Sequence, residues 1–207
     1  VKFLLISLLT PLFMAFSATL CAETGYRVPS LLDDGERGTY MPQASYDILG
    51  VSIAEGSLEP IKAQLGDASL YEGLHGARNL CYLTGPHRVE FTVSNLGFGY
   101  EVTAVDEAWP QCGTTSTPAV NGIGLKVGMG RAEVVSALGS PSETQDETLF
   151  YTYWVQEQLS QQDQVAFKAA HNLPGDESVW IDVYSTISVG LEDEKVVWFS
   201  INTTKTY

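Results

Sequence analysis

Self-similarity constrains this chain more than any other feature. Gly50-Val51-Ser52-Ile53 with Gly56 matches Gly122-Ile123-Gly124-Leu125 with Gly128 at an offset of 72 residues, and Ile61, Leu65 and Gly66 match Val134, Leu138 and Gly139 at an offset of 73. A fixed period of this kind is the mark of one structural unit used twice. In the second block Val134, Val135 and Leu138 form a helical stripe over Arg131–Leu138, Gly139 supplies a left-handed stop and Pro141 forbids continuation. In the first, Ser57 reads as an N-cap, Pro60 fits an opening turn, Ile61 and Leu65 face inward and Gly66 ends the helix. Helices so short are not stable alone, so both must pack on a sheet.

Strand patterns follow each block. Residues 79–84, 88–94 and 100–106 are three strands in the first half, separated by Gly85-Pro86 and Asn95-Leu96-Gly97. Val89, Phe91 and Val93 alternate with Glu90, Thr92 and Ser94, the signature of a sheet with one wet face. Residues 149–155, 179–189 and 196–202 are the equivalent set, with Leu191-Glu192-Asp193-Glu194 as a turn. The halves differ where the second inserts residues 156–176. There Ser160 with Asp163 resembles a capping box, and residues 161–170 favour helix before Asn172 and Pro174 stop it. A connection of that length is a candidate recognition flap, or a cover for one sheet face.

The expected fold is therefore α+β: two tandem repeats, each a short helical segment followed by an antiparallel three- to four-stranded sheet. Residues 47–113 form the first repeat, 114–120 a Thr/Ser/Pro linker, and 121–207 the second repeat with its helical insertion at 156–176. Residues 23–46 read as an extended lead-in without periodicity. Residues 1–22 read as an export signal: Lys2, an apolar run from Phe3 to Phe16 interrupted by Pro11, and a small-residue stretch ending at Ala22. Leu20 before Cys21 makes a poor lipid-modification site, so cleavage after Ala22 is expected. The predicted location is periplasmic or secreted, with no membrane span.

Charge and cysteines narrow the function classes. The formal charge of −14 becomes −15 when Lys2 leaves with the signal, which opposes nucleic-acid and anionic-lipid binding and permits a basic protein partner. Of the cysteines beyond the signal, Cys81 and Cys112 are expected to form a disulfide, which closes a loop worth roughly 3 to 4 kcal/mol in the chain-entropy account. No enzyme constellation is present: there is no G-x-S-x-G elbow, H-E-x-x-H, P-loop or dinucleotide fingerprint. His75, His87 and His171 are scattered, and the acidic groups Asp33-Asp34, Glu143 with Asp146, and Glu192-Asp193-Glu194 read as solvated turns. The chain is thus predicted to be a non-enzyme without cofactor or metal. The sequon Asn202-Thr203-Thr204 reads as an accidental match behind a leader of bacterial type.

Aromatic residues supply the candidate surface. Phe150, Tyr151, Tyr153 and Trp154 place rings on both sides of one strand, so one side is core and the other is either a wet aromatic surface or covered by the flap. Tyr151, Tyr153, Trp154, Trp180, Tyr184 and Trp198 are the candidate protein-binding residues.

The Gly-Ile-Gly-Leu segment, the Gly128-Met129 turn, the helix ending Leu138-Gly139-x-Pro141 and the closing strand Val196-Val197-Trp198-Phe199-Ser200-Ile201 resemble the module shared by the outer-membrane assembly lipoprotein BamE (SmpA/OmlA) and the beta-lactamase inhibitor protein, BLIP. The resemblance spans residues 122–202 and, more faintly, 48–107. It implies paired helix-and-sheet modules presenting a joint sheet to a protein partner. An inhibitor of an exported enzyme and an envelope-assembly protein are both compatible with it, and no inhibitory residue is carried over.

Overall fold

In a computed structural model, the structure describes residues 38–105, 109–173, 175 and 178–206, together with the backbone of residues 26–27. The expected signal segment, Cys21, Asp33-Asp34, Pro174 and most of the lead-in lie outside the described residues. Twelve strands and three α-helices follow in the order β1 (Tyr26–Arg27), β2 (Asp47–Ile48), β3 (Val51–Ser52), α1 (Glu59–Leu65), β4 (Tyr71–Glu72), β5 (Arg78–Thr84), β6 (His87–Val93), β7 (Gly97–Ala104), β8 (Gly113–Thr114), α2 (Arg131–Leu138), β9 (Glu143–Gln145), β10 (Thr148–Gln158), α3 (Gln161–His171), β11 (Val179–Glu192) and β12 (Lys195–Thr206).

The α+β expectation of two helix-plus-sheet repeats is overturned. Strand accounts for 45% of the described residues against 20% helix, and the strands of both halves form one ten-stranded sheet. Its main path runs β4-β5-β6-β7-β12-β11-β10-β9, while β8 joins β5 and β1 joins β11 in parallel pairing. The physical reason is edge satisfaction. Strand β7 pairs antiparallel with β12 from Gly97↔Thr204 to Thr103↔Trp198, so neither half ends in a free row of amides there. The halves therefore share a sheet instead of each closing its own.

Local rules still account for the elements. Alternation places Leu80, Tyr82, Val89, Phe91, Tyr100, Val102, Phe199, Ile201, Ile187, Val189, Leu149 and Tyr151 on one side of the sheet, where all are buried. A run of edge-on and tilted rings, Tyr82–Phe91–Tyr100–Phe199, crosses four neighbouring strands with centroids 6.0 to 6.4 Å apart. The helical layer covers this side. Ile61 of α1 and Val134 of α2 are fully buried, with Ile48 of β2 and Leu49, Ile53, Leu58 and Leu125 from the adjoining loops. Helix α2 is held at the β11–β12 turn, where the Gly128 N–H donates to the Val196 carbonyl and Arg131 Nε lies 2.8 Å from Glu194 Oε2.

Some boundaries differ from expectation. The N-cap of α1 is Leu58 instead of Ser57, whose hydroxyl donates to the Glu59 carboxylate instead. The Ser160 hydroxyl does cap α3, accepting from the Asp163 N–H at 3.2 Å, and the helix stops at Asn172 in the left-handed region. The two glycine blocks lie side by side: Ile48 bridges Asn121, and the Gly122 N–H donates to the Asp47 carbonyl. Gly50 closes the β2–β3 hairpin at φ +79°, whereas Gly122 is required by space, since a Cβ there would lie 2.4 Å from the Ala44 carbonyl oxygen. Equivalent positions in the sequence thus use glycine for different reasons.

The stretch read as a linker is pinned along β5, with the Thr115 N–H donating to the Leu83 carbonyl and the Thr84 hydroxyl to the Thr117 carbonyl. The described end of the lead-in is likewise packed: Met41 and Ser45 are buried, and the Thr39 N–H donates to the Trp154 carbonyl along the edge of β10.

Candidate protein-binding face

The side of the sheet turned away from α1 and α2 is built from the other parity of each strand. Register fixes its rows. Trp154 of β10 stands opposite Tyr184 of β11, which stands opposite Thr204 of β12. The next row runs Thr152, Thr186, Asn202, Gly99 and Thr92; the one after it Phe150, Ser188, Ser200, Glu101 and Glu90; the last Thr148, Gly190, Trp198, Thr103 and Arg88. Cross-strand partners point to the same side, so these rows form one surface.

Of the six aromatic residues singled out from the sequence, four lie on this surface and two do not. Trp154 and Tyr184 form a tilted ring pair at 5.5 Å, and Trp180 lies farther along the same face of β11, opposite Gln158. Trp198 lies over Gly190, where a Cβ would come within 1.9 Å of its Nε1, so the glycine makes room for the indole. All four are partly exposed. Tyr151 is 2% exposed on the opposite, covered side, and Tyr153 packs against that same core. Strand parity separates them, because odd positions of β10 face inward and even positions outward.

Helix α3 has no buried residue, and Val165 is 67% exposed. At its base Gln164 Nε2 donates to the Leu159 carbonyl and Gln164 Oε1 accepts from the Val179 N–H.

A charged cluster that sequence reading missed completes the surface. Glu90 and Glu101 stand directly opposite each other on β6 and β7. Glu90 accepts from the Asn79 amide at 3.0 Å and pairs with Arg88 at 3.3 Å, while the Arg88 guanidinium lies 3.9 Å over the ring of Trp109. Glu101's carboxyl is held above the ordinary glutamate range, first by desolvation and then by Glu90, with Arg88 opposing. Asp182 and Glu143 add carboxylates to the same side. No single-sequence signal reveals the Glu90–Glu101 juxtaposition, since it depends on a register set by the turn at Asn95-Leu96-Gly97.

The Cys81–Cys112 disulfide borders the cluster. Cys81 stands opposite Glu90, and the bond, with Cα atoms 4.7 Å apart, ties the Trp109-bearing segment to β5. The bond fits an oxidising compartment. Among the described residues no group of His, Cys, Asp and Glu could hold a metal ion, and no helix is long and apolar enough to cross a membrane. Comparison with known proteins returns no match among family models, curated proteins or solved structures.

Proposed function

We propose that this chain is an exported protein-binding module that docks a partner on the outward sheet face, with α3 standing beside the contact, and that the partner presents a basic patch flanked by apolar side chains. One observation carries the reading: Trp154, Tyr184, Trp198 and Phe150 share a partly exposed β-surface with the opposed carboxylates of Glu90 and Glu101. Tyr and Trp supply contact area at small entropic cost, which is why they dominate binding hot spots. Arg88 offsets part of the repulsion between these like charges, and the exposed Glu101 still offers a carboxylate to a basic partner. The overall charge of −14 adds long-range attraction of the same sign.

Inhibition of an exported enzyme, in the manner implied by the resemblance to BLIP, is the role this face suits best. The Cys81–Cys112 disulfide agrees with that setting. Site-specific photocrosslinking in envelope extract tests the reading. A crosslinker at Asn202, which is exposed in the middle of the face, should give a discrete adduct, and one at Lys62 on α1 should not. Adducts from Lys62 alone would reject the docking face. A lipid-modified, membrane-fractionated product would favour an assembly role of the BamE kind over inhibition.

A further inference from the structure

On the covered side of the sheet the helical layer stops short of the ends of β10, β11 and β12. Beyond it lies a cleft of about 400 Å³, walled by residues 39–43 and Tyr46 and floored by the three strands. Its floor is a ring of hydroxyls. Tyr46 Oη lies 2.9 Å from Thr203 Oγ1 and 3.3 Å from Ser185 Oγ, and the latter two are 2.8 Å apart. Three hydroxyls bring three protons to three contacts, so the ring can satisfy its own donors while each oxygen keeps a lone pair. Phe98, Tyr153, Val155 and Val183 supply apolar walls.

The rim holds one charge of each sign. Lys205 Nζ and Glu157 Oε2 are 3.9 Å apart, with side chains 37% and 33% exposed. That separation is an ion pair but exceeds hydrogen-bonding distance, so both groups keep capacity for other partners. Tyr40, 60% exposed, stands beside Glu157 at the mouth. A concave, mainly apolar space with a few convergent polar groups is the usual form of a small-ligand site.

We propose that this cleft binds a small zwitterion of the α-amino-acid type with an apolar or aromatic side chain. Its ammonium meets Glu157, its carboxylate meets Lys205, and its side chain enters between Phe98, Tyr153 and Val183. A singly charged ligand would leave one rim charge opposed or unanswered, whereas a zwitterion answers both. A side chain with an N–H or O–H finds acceptors in the hydroxyl ring, which makes tyrosine and tryptophan better ligands than valine.

Calorimetric titration of the full chain with L-phenylalanine, N-acetyl-L-phenylalanine and L-phenylalanine amide tests this without any protein partner, so its outcome is separate from that of the docking face. L-Phenylalanine should bind saturably, and each capped form at least tenfold more weakly. Glu157→Gln should erase discrimination against the acetylated form, and Lys205→Gln discrimination against the amide, with unchanged far-UV circular dichroism. Absence of saturable binding by L-phenylalanine, or equal binding of the capped forms by the unmodified chain, overturns the proposal.

Discussion

The two sides of the sheet carry similar residue types and do opposite things with them. On the covered side Phe91, Tyr100 and Phe199 are at most 2% exposed and touch ring to ring across strands. On the other side Trp154, Tyr184 and Trp198 are only partly buried: Trp154 and Tyr184 pair with each other, and Thr152, Thr186, Ser188 and Gly190 separate that pair from Trp198. Aromatic content alone therefore does not tell a core from a contact surface. Parity against the layer of α1 and α2 does, and adjacent residues on one strand fall on different sides of that division.

The sharpest way to break the comparison uses two consecutive residues. Phe199→Ala should cost about 3 to 5 kcal/mol of unfolding free energy, the range for emptying a closed core site. Trp198→Ala should cost clearly less, about 1 to 2 kcal/mol, since its indole is only partly buried. Urea denaturation monitored by far-UV circular dichroism measures both, and equal losses would mean that the two sides are not distinct.

Next in size is the covalent tie at the edge of the outward face. Replacing both Cys81 and Cys112 by serine should lower stability by about 3 kcal/mol, because the closed loop no longer restricts the unfolded chain. Thermal denaturation with and without reductant should show the same loss in the unmodified chain and none in the variant.

A smaller change targets the packing of Trp198 on Gly190. The added methyl of Gly190→Ala would fall 1.9 Å from Trp198 Nε1, so the indole must move. The expected cost is about 1 kcal/mol, with a shift in tryptophan emission toward the exposed wavelength. Unchanged emission would show that Trp198 does not rest on the strand.

The smallest effect is a pH dependence. Glu101's carboxyl takes a proton more readily in the folded chain than in the unfolded one. Its contribution to stability is therefore present below the ordinary glutamate value and is lost as pH rises through the raised folded value. Glu101→Gln should flatten that portion of the stability profile by tenths of a kcal/mol, discounted for its exposure. For a bound basic partner the sign reverses, because binding favours the ionised carboxylate and weakens on acidification over the same interval.

Much of the local architecture was legible in the sequence. The Val89, Phe91, Val93 alternation placed β6, the stripe through Val134 and Leu138 placed α2, and Ser160 placed the start of α3. These signals are local, set by side-chain period and capping. The pairing of β7 with β12 was not legible, because joining residues about a hundred positions apart depends on which edge lacks a partner after each half has folded. The repeat pattern pointed to separate sheets, and edge satisfaction merged them. Which side of β10 faces the core is not legible for a related reason: Phe150 and Trp154 on one parity and Tyr151 and Tyr153 on the other are equally aromatic, so only the position of the helical layer decides between them. The opposed glutamates and the Tyr46, Ser185 and Thr203 ring are products of register and long-range packing.

Hydroxyl-radical footprinting of the chain alone and with its crosslinked partner tests the docking account most directly. Trp154 and Trp198 should be oxidised in the free chain and protected in the complex, while Phe91 and Phe199 stay unreactive in both. Unchanged reactivity of the two tryptophans, with protection appearing instead on α1 or α2, would contradict it.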